Sequence, residues 1–445
     1  MRIYESICVG VPEICLPKPG TDLARWAVIA CDQYTSEPEY WQRAAEIVGS
    51  APSTLNLIYP EVYLNERDPD ARIGGIRQSM KEYLAAGLFR ELEGFVYIER
   101  QTGTRTRKGL MVCLDLEHYD FRKGSTSLIR ATEGTILERI PARVRIREGA
   151  TLEIPHIMVL IDDPADSVIG PLSEGRDRLE LLYDFELMMD SGRVAGRRVN
   201  DPALEQGVVR ALEALADPGP FAAKFGLDPG TPVLLYAMGD GNHSLATAKA
   251  IWEKAKEAAA DRAAIMSSPL RYALVELVNL HDDALRFEPI HRVIFDTTPG
   301  RYPLEEIKEF YRPRYDLNPA TDFESMKAAV DGAPPGMHRI GIIRAGEFGV
   351  IEIASPDSNL PVGTLQNFLD VFLKSKGAAG IDYVHGTNAA VKLGSHLGNR
   401  GFYLPAMDKN QLFRTVILDG ALPRKTFSLG EAWEKRFYME ARKLL

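Results

Sequence analysis

Cysteine is scarce: Cys8, Cys15, Cys31 and Cys113 are the four in 445 residues. None pairs in CxxC spacing, which argues against a disulfide framework or a structural zinc site and points to a reducing cytoplasm. Long hydrophobic runs are missing as well. The apolar stretches 110–114, 157–161 and 233–238 are strand-sized, far from the roughly 20 residues of a membrane helix. Early cations are limited to Arg2, and Glu5, Gly10, Pro12 and Glu13 interrupt the N-terminal stretch, unlike a secretory signal. Positive charge is in deficit, with 53 Lys and Arg against 62 Asp and Glu, a net charge of −9. General coating of nucleic acid needs a cationic surplus on at least one face, so the balance argues against nucleic acid as a partner, while a local basic pocket stays compatible with it. The common signatures GxxxxGK[ST], GxGxxG after a strand, GxSxG and HExxH do not occur.

What is present is an ordinary globular composition, 45% hydrophobic and 26% charged, on a chain long enough for two or three domains. Punctuation by glycine and proline alternates strands with helices. The pattern predicts a strand over 26–30, a helix opened by Ser36 and Glu39 in capping-box spacing, and a helix over 70–86 with Ile73, Ile76, Met80 and Leu84 on one stripe. Hairpins follow at 95–100 with 108–116 and at 182–189 with 193–199, with a strand at 157–161 and a helix at 202–216. Residues 233–238 read as a strand leading into a helix that runs to about 260. Beyond it come strands at 272–278 and 291–295, a hairpin at 339–353, a helix at 365–374 and a terminal helix after Gly430. The fold class is mixed α/β.

The turn Gly239-Asp240-Gly241-Asn242-His243-Ser244 carries the densest chemistry. A strand entering a glycine-containing loop and then a helix aims backbone N–H groups and the positive end of the helix dipole at one spot, a natural anion site. There Asp240 can hold a divalent cation or take a proton, and His243 can donate to a phosphoryl oxygen. Read blandly, the same turn uses Asp-Gly for its backbone shape and Ser244 as N-cap. A second group is Arg139, Arg143, Arg145 and Arg147: 139, 143 and 147 share a helix face, and 143, 145 and 147 share a strand face. Such arginines can clamp a phosphorylated ligand or form a solvated face balanced by Glu138, Glu148 and Glu153. Glu133, isolated among small residues, is the better catalytic carboxylate. A third group, Asn279 to Asp283 with Glu288 to Arg292, offers two histidines and several acids in a spacing that fits no established metal pattern. His291 and Arg292 read either as a phosphate contact or as a sheet edge. Arg424 and Lys425 sit beside a proline turn. His118, His156, His338, His385 and His396 are scattered, each read alone as structural.

Asp240-Gly241-Asn242-His243-Ser244-Leu245-Ala246-Thr247-Ala248 resembles the DGHHRYxTA signature of domain-of-unknown-function family 1015, grouped with the ParB/sulfiredoxin-like superfamily. Other pieces follow in that family's order. Residues 130–135 look like its RxHExT element, 139–147 like its DR segment, 157–164 like its strand ending in Asp-Asp-Pro, 289–292 like PTHR, and 423–426 like PxKST. The sequence departs from the pattern at Asn242, Ser244 and Thr132, where members carry His, Arg and His. Asp32, in Ala30-Cys31-Asp32-Gln33-Tyr34, stands near the family's PPYD. The resemblance implies an N-terminal α/β segment over 1–90, a ParB/sulfiredoxin-like core over 91–262 and a C-terminal α/β domain over 263–445.

The superfamily includes free-serine kinases, so the resemblance implies a magnesium-dependent phosphotransferase that uses ADP or ATP and handles serine or phosphoserine. In that reading Glu133, Asp240 and His243 are catalytic, and Asp240 is the magnesium ligand. Gly241, Asn242, Ser244, Arg139, Arg143, His291, Arg292 and Lys425 bind phosphate or substrate, with Asp32 a further candidate. A phosphoserine phosphatase on the same site and a nucleotide-gated, DNA-associated binding protein are the alternatives. No membrane partner is expected, and a homo-oligomer is compatible with the sequence.

Overall fold

The computed structural model describes residues 1–64, 66–134 and 140–444. The chain forms two compact units, Met1–Leu285 with Gly430–Leu445, and Arg286–Leu429. Of the expected divisions, 90/91 falls inside the strand Phe89–Glu93 and 262/263 inside the short helix Arg262–Ile265.

The first unit is organised on a large mixed sheet. Its main strands are β1 (Phe95–Thr102), β2 (Arg105–Asp115), β3 (Tyr119–Asp120), β4 (Ile129–Arg130), β5 (Met158–Ile161), β6 (Glu180–Glu186), β7 (Arg193–Val199), β8 (Tyr236–Asp240) and β9 (Tyr272–Asn279). They lie in the order β6-β7-β1-β2-β9-β5-β8-β4-β3. The expected hairpins are β1–β2 and β6–β7, both antiparallel. Central β9 is buried along its whole length, as a near-continuous apolar run must be when both sheet faces are covered. It pairs in parallel with β5, and β5 pairs antiparallel with β8. That antiparallel step matters for the site. It sets the start of β5 beside the end of β8, with Met158 opposite Asp240.

Helices pack on this sheet where the apolar stripe predicts. Helix α1 (Pro69–Ala85) buries Ile73, Ile76 and Met80, and its start is fixed by Pro69 at the first helical position and the Asp68 carboxylate accepting from the Ala71 N–H. Helix α2 is Ile140–Arg147, and helix α3, Asn242–Ala258, buries Leu245, Ala248 and Trp252. The helix expected from Ser36 starts instead at Pro38, with Glu37 as its N-cap and no side-chain cap bond, because proline's fixed φ suits the first helical position.

Two expectations fail. Over 26–30 the chain closes a one-turn helix, Leu23–Trp26, and then runs extended with a single bridge from Ile29 to Phe437. After Gly430 there is a 3-10 turn, Ala432–Glu434, and then extended chain ending in the short strand Arg442–Lys443. This tail is not a helix because its alternate residues are claimed by the interior of the first unit. Tyr438 donates its backbone N–H to Val28, and Ala441 exchanges backbone bonds with Cys15. Arg436 pairs with Glu276 and Glu440, and Arg442 with Glu153, all of them buried.

The second unit holds an antiparallel sheet in the order Tyr315–Ala320, Glu347–Ala354, Met337–Arg344, Arg400–Tyr403, Phe287–Thr297, Ala378–His385. Phe287–Thr297 also pairs with Phe427–Leu429, so the unit's first and last residues are neighbours. Helix Pro361–Lys374 covers the predicted 365–374 and buries Leu365, Phe368, Leu369 and Phe372.

Candidate functional site

Asp240 ends β8, and Gly241 turns the chain into α3 with φ +78°, a left-handed conformation open to glycine at little cost. A Cβ there would lie 3.2 Å from the backbone of Ile157, so both conformation and space select glycine. Gly241 is therefore the N-cap in place of the expected Ser244, and the helix begins with no side-chain cap bond. Ser244 is displaced into the first turn, where its hydroxyl lies 3.0 Å from His156 Nε2. The Oδ1 atom of Asn242 is buried and has no hydrogen-bond partner among the described residues.

Strand β4 pairs in parallel with β8, Tyr236 opposite Ile129 and Ala237 opposite Arg130, and just beyond it the Thr132 hydroxyl donates to the Met238 carbonyl at 2.8 Å. Glu133 follows Thr132 in the chain. Arg139 lies outside the described residues.

His156, read from sequence as one scattered histidine, is the residue around which the site is built. Its Nδ1 is 2.8 Å from the Tyr438 hydroxyl, which also accepts the Cys31 N–H at 3.0 Å. The other ring nitrogen, Nε2, lies against Ser244 Oγ, with Asp32 Oδ2 3.7 Å away, so the imidazole links the buried Tyr438 hydroxyl to the first turn of α3. Asp32 is so brought to the site.

Ser244, His156 and Tyr438 line a cleft of about 130 Å³ whose other walls are largely apolar, with Ile58, Tyr59, Met80 and Ile146 among them. Arg143 and Glu61 form an ion pair in its wall. Burial pushes the Glu61 carboxyl up, with the nearby Asp32 charge adding to this and Arg143 opposing it. The arginines of α2 are already engaged: Arg143 with Glu61, Arg145 with Asp70, and Arg147 with the buried Glu153 at 2.5 Å. Glu153, one of the acids expected to balance them, does pair with Arg147, but it is fully buried and shared with Arg442 rather than on a solvated face.

Asp240 carries a cation of the protein's own. Lys435 Nζ, on the C-terminal tail, is 3.0 Å from Oδ2, and the Gly241 N–H donates to Oδ1 at 2.8 Å. Burial would raise this carboxyl, but Lys435, then His156 and the Gly241 amide outweigh it and hold it below the ordinary carboxylate range. Magnesium, expected on Asp240, does not fit this donor set. Both oxygens are engaged, and an ion bound through a remaining lone pair would face the ammonium at about 4 Å, with a repulsion of about 4 kcal/mol per unit charge at an effective dielectric near 20. Among the described residues no three His, Cys, Asp or Glu side chains converge in a group fit for a metal ion.

His291, Arg292 and Lys425 belong to the second unit. His291 and Arg292, read as phosphate contacts, are instead buried. His291 Nδ1 accepts the Leu404 N–H at 3.2 Å, and Arg292 donates to the carbonyls of Ile290 and Arg424. Lys425 is exposed in a turn where the Thr426 hydroxyl donates to the Pro423 carbonyl. The metal-like group of 279–292 is divided between the units. His281 meets Asp162 at 2.6 Å, and the Asp282 carboxylate accepts the amides of Lys108 and Ala284.

Sequence reasoning missed His156, Tyr438, Glu61 and Lys435. No local motif flags them, since each depends on a strand pairing or on the returning tail. No described helix is long and apolar enough to cross a membrane.

Among solved structures, the chain is similar to a free serine kinase mutant in complex with AMP, at 11% identity and a TM-score of 0.38, over 75% of this chain and 92% of that one. It is similar to a free serine kinase mutant in complex with ADP at 10% identity and a TM-score of 0.38, over 77% and 95% of the two chains. A conserved hypothetical protein from Pyrococcus furiosus aligns at 11% identity with a TM-score of 0.34, over 77% and 98%. No curated protein matches. The family model described as "Protein of unknown function (DUF1015)" matches residues 15–372, the greater part of the chain, and the chain belongs to that family.

Proposed function

We propose that this protein transfers a phosphoryl group to or from a small hydroxyl-bearing substrate, serine or phosphoserine, with ADP or ATP as the nucleotide partner. The observation that carries the reading is the Asp240-Gly241 turn. It opens a 17-residue helix without a side-chain cap, and the first turn of that helix places Ser244 in the wall of a cleft beside His156. Such a helix start favours an oxyanion through its amides and dipole. The serine and adenine-nucleotide assignments rest on the resemblance of 240–248 to the family signature; neighbours at TM-scores near 0.38 carry no weight in it.

Phosphoryl transfer depends mainly on positioning and electrostatics. In this reading the Glu133 carboxylate takes the proton of the substrate hydroxyl as its oxygen bonds to phosphorus. The bond from phosphorus to the nucleotide oxygen breaks, and the nucleotide leaves with the electron pair. Gly241, Asn242 and Ser244 cradle the transferring group, His243 donates to its oxygens, and His156 Nε2 orients the Ser244 hydroxyl. Asp32 and the Glu61–Arg143 pair face the rest of the substrate.

The experiment is incubation of the full chain with L-serine and ADP or ATP, with and without magnesium, followed by phosphorus NMR. Phosphoserine is expected. Glu133→Gln lowers the rate by about 10²-fold or more, the scale of a lost acid–base group, and Asp240→Asn lowers it by removing the carboxylate that holds Lys435 and the Gly241 amide. A folded protein with no turnover over a broad set of hydroxylated metabolites overturns the reading.

A further inference from the structure

The C-terminal tail brings a lysine ammonium to a carboxylate that the signature loop would otherwise present to a cation. We infer that Lys435 is a built-in counter-cation of Asp240. It holds the position that a divalent ion would take, so that no magnesium resides on Asp240 and any magnesium used arrives on the nucleotide. The proposal rests on the phosphotransferase reading only for its last clause.

Three observations carry it. The first is the contact itself: Nζ stands 3.0 Å from Oδ2 while the Gly241 amide engages Oδ1, so each oxygen has a donor of fixed position. The second is the burial of the lysine: Lys435 is 7% exposed against a half-buried Asp240, so water screens the ammonium less than it screens a surface lysine. The third is anchorage. The neighbour Arg436 is locked to Glu276 and Glu440, Glu434 Oε1 meets Arg105 at 3.2 Å, and Tyr438 bonds His156. The backbone that carries the lysine is thereby held on both sides. An ammonium and a hexahydrated magnesium ion answer the same carboxylate charge, but magnesium demands near-octahedral oxygen ligands close to 2.1 Å, and the two groups bonded to the Asp240 oxygens are nitrogens.

The test uses manganese alone, without substrate, so its outcome is separate from whether the protein turns over serine. Manganese binding to the full chain is followed by electron paramagnetic resonance in wild type, Asp240→Asn, Lys435→Gln and Lys435→Arg. The expected result is no Asp240-dependent binding in wild type or Lys435→Arg, and binding at least about tenfold tighter, a difference of about 1.4 kcal/mol, in Lys435→Gln. Manganese bound by wild type and released in Asp240→Asn overturns the proposal. So does a folded Lys435→Gln variant that gains no binding. Should Lys435→Gln fail to fold, the comparison of wild type with Asp240→Asn decides alone: equal binding supports the proposal and a loss in Asp240→Asn sinks it.

Discussion

Single residues here owe their chemistry to which neighbour holds each lone pair. His156 and His291 are a matched contrast. Both have Nδ1 engaged, one by a tyrosine hydroxyl and one by the Leu404 amide, yet His156 lines a cleft while His291 is only 1% exposed. Burial, followed by the charges of Arg292 and His385, lowers the His291 pKa from 6.5 to about 4. The sign follows from linkage. The unfolded chain takes up the proton near 6.5 while the folded chain resists it, so stability is intact above 6.5 and is lost as pH falls from there toward 4. At about 1.4 kcal/mol per pH unit, the loss amounts to a few kcal/mol. Urea unfolding at pH 7 and pH 4.5 should show it, and His291→Asn, which keeps an acceptor for the Leu404 amide, should shrink the difference. An unchanged pH dependence in that variant would remove His291 from the account. The histidine's identity was plain in the sequence, but its burial was not, because His291 and Arg292 sit in the same local pattern that an exposed phosphate contact would show.

At the scale of elements, the hydrophobic period was a good guide wherever one face met one neighbour. Helix Pro69–Ala85 and the strands Phe95–Thr102, Arg105–Asp115 and Arg193–Val199 lie close to the predicted spans, since amphipathic periodicity is a local record of a single buried face. The tail 430–444 broke the rule. Its residues Lys435, Arg436, Tyr438, Glu440 and Arg442 are polar in composition yet buried, each satisfied by a partner far away in sequence. Arg436 bridges Glu276 and Glu440, and a Cβ at Gly109 would lie 2.4 Å from Glu276 Oε1, so the network is fitted to its space. Arg436→Gln leaves two buried carboxylates with one cation fewer and should cost about 3–5 kcal/mol in chemical denaturation of the full chain. A cost below about 1 kcal/mol, the range of an exposed ion pair, would show that the tail is not the anchor described.

For the whole molecule, the chain leaves its first unit after Leu285 and re-enters it at Gly430. The intervening unit opens and closes on paired strands, Phe287 opposite Leu429. An insertion whose ends are adjacent and whose core is its own can fold by itself. Residues 286–429 expressed alone should therefore unfold cooperatively, with a near-ultraviolet circular dichroism signal that vanishes in one transition. A featureless near-ultraviolet spectrum would contradict this. The sequence by itself determined the mixed α/β class, the hairpins, and the Asp240 turn as the place to look, because those depend on spacing along a few neighbouring residues. Only the tertiary structure decided that His156 meets Ser244, and that a lysine 195 residues away neutralises the signature carboxylate. Strand order and the path of a returning tail are set by the sum of many long-range contacts, and no local pattern records that sum.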